Sequence, residues 1–172
     1  PALSLGGNGP DIITYRKLKE YLDGITNVLH GAGVRSGALY GVYCSNGLFG
    51  MTASLALNRL GALPVALNSP ASLNTVVCEA IITDQDLTGQ HCPVWRITDG
   101  WLRTEPYFPA PLPFQDSAIC RIAFTSGSTG TPKPIALTYK KLAVNLAQED
   151  ISTGPLFTEA TSRLNYIGIG TL

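Results

Sequence analysis

Between Phe124 and Ile135 the chain reads FTSGSTGTPKPI, a run of small and hydroxylated residues with a lysine near its end. Gly127 and Gly130 admit positive φ and leave the backbone open to close approach by a ligand. Successive backbone N–H groups in such a run can curl into a concave anion site. The hydroxyls of Thr125, Ser126, Ser128 and Thr129 add donors, and Lys133 adds a positive point charge suited to phosphate. The chemistry these types support is a cradle for an oxyanion, above all a polyphosphate.

Other loop chemistries do not fit the spacing. A Walker loop needs a second glycine five residues after the first, followed by Lys and Ser or Thr, and the fifth residue after Gly127 is Pro132. The G-x-G-x-x-G dinucleotide pattern and the G-x-S-x-G nucleophile elbow are also absent. Ser128 as a nucleophile would need a histidine base, and both histidines, His30 and His91, lie far away in sequence. Residue types alone leave open a plain polar linker between two strands.

The elements that must hold this loop follow from periodicity. Thr14 is a suitable N-cap for a helix in which Tyr15, Leu18, Leu22, Ile25 and Leu29 form one stripe, ended by Gly31 and Gly33. Residues 39–44 read as a buried strand, and Asn46 caps a second helix reaching about Leu60, stopped by Gly61. Further strands are expected at 65–67, 80–83, 94–97, 119–124 and 135–137, with a short helix at 72–77. Thr138 should cap a helix bearing Tyr139, Leu142 and Leu146, and residues 162–170 read as one more strand. Residues 104–116 form a proline-rich connector; TEPYFPAPLPF holds four prolines in eleven residues and suits neither a helix nor a central strand. Strands alternating with helices predict an α/β fold with a mostly parallel sheet, flanked by helices and joined by right-handed crossovers. The chain of 172 residues is expected to form a single α/β domain over 1–172.

Composition narrows the class. Hydrophobic residues make up 45 % and charged residues 14 %, a globular balance. Twelve basic residues match twelve acidic ones without like-charge runs, so neither nucleic acid nor an anionic membrane surface is an expected partner, and no apolar run is long enough for membrane insertion. Cys44, Cys78, Cys92 and Cys120 show no C-x-x-C spacing, and no metal site is expected; the first, second and fourth read as buried thiols and His91–Cys92 as a loop pair. That usage suits a reducing, cytoplasmic compartment.

The ordered string from Thr125 to Lys133 resembles the phosphate-binding signature of the adenylate-forming, AMP-binding superfamily, which includes acyl- and aryl-CoA synthetases, peptide-synthetase adenylation domains and luciferases. "TYRKLKEYLDGITNVLHGAGVRSG" and "GVYCSNGLFGMTASLALNRLGALPVALNSP" are similar to upstream segments of the same superfamily, so the likeness spans roughly residues 12–150. The resemblance implies an N-terminal subdomain of an enzyme that joins a carboxylate to AMP with ATP and Mg²⁺ and then passes the acyl group to a thiol such as CoA or a carrier protein. It places ATP phosphate contacts on Thr125, Ser126, Gly127, Ser128, Thr129, Gly130 and Lys133, within a phosphate-binding loop at 125–134.

The superfamily's later Thr-Glu motif, its ribose-binding Asp and the lysine of its mobile C-terminal domain are not found here. The chain therefore reads as a fragment with no catalytic residue of its own, inactive alone, whose partners are a small carboxylate substrate and the missing C-terminal part of the same protein. Two positions depart from the pattern. Pro134 stands where the superfamily has glycine, and the stretch from Pro70 to Thr83 is shorter than the usual helix-bearing segment. Pro134 motivates the alternative of a degenerate, non-catalytic homologue serving as a scaffold or partner-binding module.

Overall fold

A computed structural model describes residues 2–5, 11–69, 72–73, 75–110, 112–113, 115–125, 133–145 and 147–148. Its main body is a six-stranded sheet. The chain opens with a small antiparallel hairpin, β1 (Ala2–Leu5) and β2 (Asp11–Thr14), paired from Ala2↔Thr14 to Leu5↔Asp11. Helix α1 (Tyr15–Gly31) starts where the Thr14 Oγ1 accepts the Lys17 N–H at 3.1 Å, and ends in a turn with Gly33 at φ 80°. Ile25 and Leu29 are fully buried, whereas Tyr15 is 55 % exposed, because the first turn of α1 precedes the part of the helix that meets the core.

Strand β3 (Leu39–Tyr43) leads to helix α2 (Gly47–Arg59), capped by the Asn46 Oδ1, which accepts the Leu48 N–H at 2.9 Å. Gly61, at φ 75°, closes α2 and turns the chain into β4 (Leu63–Ala66). β4 begins two residues earlier than periodicity suggests: Pro64 weakens the strand signal, yet it pairs with Tyr40 near the start of the strand, where proline is tolerated. β5 (Ala80–Thr83) and β6 (Val94–Arg96) follow, then a short 3-10 turn (Trp101–Arg103), β7 (Ile119–Thr125) and β8 (Lys133–Thr138). Residues 139–145 are helical (α3), with the Thr138 Oγ1 accepting the Lys141 N–H at 3.2 Å. The expected strand at 162–170 lies outside the described residues.

The sheet order is β6-β5-β3-β4-β7-β8, with every pair parallel except β7–β8. One face carries Tyr40, Val42, Ala80 and Ile82, covered by α1, α2 and the 3-10 turn through Ile25, Leu29, Phe49, Leu57 and Trp101. The other carries Val65, Leu67, Ile81 and Phe124, covered by Leu73, Val76, Leu87 and Cys92 from two connecting segments. The expected helix at 72–77 is reduced there to i→i+3 turns, Ser72 N–H to Ser69 O at 3.0 Å and Thr75 N–H to Ser72 O at 3.2 Å. These turns match a crossover too short to carry a full helix. Connections that step toward β8 cross the first face and those that step toward β6 cross the second, as crossovers of one hand require.

α1 and α2 are tied together below the surface. The Asp23 carboxylate receives the Arg59 guanidinium and the Lys19 ammonium, each at 2.7 Å, with the Asp23 side chain only 5 % exposed. Burial pushes the Asp23 carboxyl pKa up, but the hydrogen bonds and charges of Lys19 and Arg59 outweigh it and hold the group below its ordinary value.

Candidate functional site

The five parallel strands share one carboxyl edge, and β7 ends there at Thr125. Thr125 pairs directly with Lys133, so the two ends of the segment 126–132 are fastened to each other by the β7–β8 ladder. Of the residues expected to hold phosphate, Thr125 and Lys133 are therefore neighbours across two strands, with Lys133 exposed at the first position of β8. Ser126, Gly127, Ser128, Thr129 and Gly130 lie outside the described residues.

Pro134 occupies an extended position opposite Phe124. The pairing runs unbroken from Ala123↔Ile135 through Phe124↔Pro134 to Thr125↔Lys133. A residue without an N–H permits this only where its nitrogen faces away from the partner strand. No non-glycine residue among those described has positive φ, and Pro134 takes its place in the ladder without a break in the pairing. Replacing Pro134 with glycine is accordingly expected to leave the ladder intact and to lower stability by about 0.5–1 kcal/mol, through added freedom of the unfolded chain. A urea melt of the two proteins checks this; a loss of several kcal/mol, or a gain, would contradict it.

At the same edge, Asp84 follows β5 and accepts hydrogen bonds from the Ser45 N–H (2.9 Å), the Ser45 hydroxyl (2.9 Å) and the Asn46 N–H (2.7 Å). Partial burial pushes its carboxyl pKa up, but these donors prevail and hold it below the ordinary value. Sequence reading missed Asp84, whose one signal is an acidic residue directly after the apolar run at 80–83.

The thiols are not poised for chemistry. Burial, with the Asp84 charge adding to it, pushes Cys44 up to about 12, and burial pushes Cys78 up to about 11. Cys78 and Cys120 are buried as expected, Cys44 and Cys92 are half-buried, and His91 is exposed. No group of three His, Cys, Asp or Glu residues suited to a metal occurs among the described residues, and no helix among them is long and apolar enough to cross a membrane. An open groove of about 370 Å³ lies at the opposite edge, lined by Asn58, Leu63, Leu112, Ile119 and Tyr139, away from the Thr125–Lys133 hairpin.

Known proteins share this arrangement. The solved structure of O-succinylbenzoate Coenzyme A Synthetase from Bacillus subtilis in complex with AMP superposes with a TM-score of 0.75 at 18 % identity, over 89 % of this chain and 42 % of that one. The N-terminal subdomain of Klebsiella oxytoca NpsA superposes with a TM-score of 0.63 at 24 % identity, over 76 % of this chain and 36 % of that one. In sequence, a 2-succinylbenzoate--CoA ligase of Bacillus cereus is 28 % identical over 134 residues, which is 74 % of this chain and 28 % of that ligase. The chain thus spans little more than a quarter of the length of this curated relative. A family profile described as "AMP-binding enzyme" matches residues 1–167. With an α/β sheet of this topology and a family match over nearly its whole length, the chain belongs to the AMP-binding enzyme family.

Proposed function

We propose that the chain is part of an ATP-dependent, AMP-forming carboxylate ligase and that residues 125–133 hold the β- and γ-phosphates of ATP. The observation that carries this reading is the family match over residues 1–167. The hairpin supports it, because it sets Thr125 and Lys133 side by side at the edge where ligands of open α/β sheets bind. In the first half-reaction a substrate carboxylate attacks the α-phosphorus and pyrophosphate departs with added negative charge. Donors fixed in advance around that leaving group stabilise the charge as it develops. Lys133 supplies the positive charge; Thr125, Ser126, Gly127, Ser128, Thr129 and Gly130 supply N–H and hydroxyl donors. Mg²⁺ bound with the ATP would share the neutralisation. The acyl group then passes to a thiol such as CoA or a carrier protein. Chemistry at the α-phosphorus is left to the rest of the same protein, and the setting is cytoplasmic.

The competing reading, a non-catalytic homologue used as a scaffold, rested on Pro134. The extended position of Pro134, paired with Phe124 in the β7–β8 ladder, supports the ligase reading.

Calorimetric titration of this chain with inorganic pyrophosphate in the presence of Mg²⁺ tests the loop. Lys133→Ala is expected to weaken binding about tenfold, the loss of one charged hydrogen-bonding partner. Binding that Lys133→Ala leaves unchanged, or no binding by the unaltered chain, counts against the phosphate role. Carboxylate-dependent exchange of pyrophosphate into ATP by the longer protein that carries this chain tests the ligase activity itself.

A further inference from the structure

After the 3-10 turn the chain enters the proline-rich connector through Thr104, at φ −71° and ψ 149°, the dihedrals of polyproline II. Pro106 and Pro109 each fix φ at about −65° and hold the residue before them, Glu105 or Phe108, in extended geometry. Residues 104–109 thus favour polyproline II, a helix that repeats every three residues and has no internal hydrogen bonds.

Helix α1 supplies the partners that such a segment lacks. The Asn27 carboxamide donates to Glu105 O at 2.9 Å, and the Tyr107 N–H donates to Asp23 O at 3.3 Å. The Tyr107 ring stacks on His30 with centroids 4.1 Å apart, and the Thr104 backbone lies against Gly24. The edge carrying Thr104 and Tyr107 therefore faces α1. Glu105 and Phe108 fall on a second edge, Pro106 and Pro109 on the third. Glu105, Pro106 and Phe108 are exposed, Phe108 to 62 %, and Pro109 is half-buried.

Two x-Pro steps one turn apart, Glu105-Pro106 and Phe108-Pro109, thus stand on the two outward edges of an anchored segment. A P-x-x-P segment in this form fits an aromatic-lined groove. Exposed Arg103 comes just before it, completing Arg-x-x-Pro-x-x-Pro, and Lys19, 63 % exposed, holds its ammonium 4.8 Å from the centre of the Phe108 ring. These two cations suit a partner with an acidic rim. We infer that residues 103–109 are a docking surface for a protein module of the SH3 type, with an aromatic-lined groove and an acidic rim. Because α1 already orders the segment, the partner meets it with part of the ordering cost removed.

The test is calorimetric titration of the 172-residue chain with a purified SH3 domain that takes Arg-x-x-Pro-x-x-Pro peptides. Phe108→Ala and Arg103→Ala, both at exposed side chains, should each weaken binding about fivefold and leave thermal midpoints unchanged. Glu105→Gln should bind more tightly, by removing one repulsion from the acidic rim. Val77→Ala, at a residue 92 % exposed in the crossover between β4 and β5, should bind as the unaltered chain does. A synthetic peptide spanning 101–113 should bind more weakly than the folded chain, because it must be ordered on binding. No binding by the chain, binding that Phe108→Ala and Arg103→Ala leave unchanged, or a peptide that binds more tightly than the chain would each overturn the proposal.

Discussion

Replacing Asp23 with alanine is expected to remove about 3 kcal/mol of stability, seen as a large fall in the urea midpoint. The Asp23 side chain is 5 % exposed and Arg59 29 %, and the two share a 2.7 Å ion pair between α1 and α2. Removing the carboxylate strands a partly buried guanidinium and frees Lys19. Breaking one side of a buried pair typically costs about 3–5 kcal/mol, and the residual access of Arg59 to water sets the lower end. Asp23→Asn, which keeps the shape, should fall between the two proteins. The same carboxylate gives a pH signature. Its pKa is lowered on folding, so its contribution is complete above about pH 4, the ordinary carboxylate value, and is lost as pH falls through the lower folded value. Asp84 shifts in the same direction and adds to the loss. Asp23→Ala should therefore show a shallower fall in stability on acidification. An Asp23→Ala protein as stable as the original, with the same acid limb, would refute this account.

Gly24→Val is expected to be comparably damaging, by about 3 kcal/mol, for a steric reason. A Cβ at this position would lie 2.8 Å from Trp101 O and 3.0 Å from Thr104 O, both backbone atoms at the 3-10 turn that packs on α1. A side chain here must push the whole turn outward, taking with it the apolar contacts of Trp101 and Leu102. Overpacking of this kind costs about 1–3 kcal/mol, and a β-branched residue reaches its upper end. Gly24→Ala should cost less, since alanine regains about 1 kcal/mol of helix propensity. Denaturant melts of the two variants read the difference. Equal stability of Gly24→Val and the original would mean that the turn moves freely.

Gly24 also shows what sequence could reveal and what it could not. The caps at Thr14 and Asn46 and the burial of Ile25 and Leu29 were legible, because capping and a 3.6-residue period are local properties. The close approach at Gly24 was not, because the atoms that require glycine lie about eighty positions away in the chain. The β1–β2 hairpin escaped notice because each strand has four residues and neither contains a long apolar run. The early start of β4 was hidden by Pro64. For the site, the ordered residues from Thr125 to Lys133 pointed to phosphate through their types and order. The hairpin that fastens Thr125 to Lys133, and the part Asp84 plays at Ser45 and Asn46, depend on the register of strands that sequence alone does not align.

The outward-facing nitrogen of Pro134 has a consequence for how the chain meets copies of itself. β8 is the outermost strand of the described sheet, and Ile135 on it is 44 % exposed. Such a border offers a ready template for another extended segment. Proline withholds one of the donors that an incoming strand would need, and the adjacent Lys133 would have to shed its hydration. The first residues of β8 are thereby closed to strand addition. Pro134 thus serves as protection against aggregation, and Pro134→Gly, nearly silent in a melt, would reveal it by light scattering at high protein concentration.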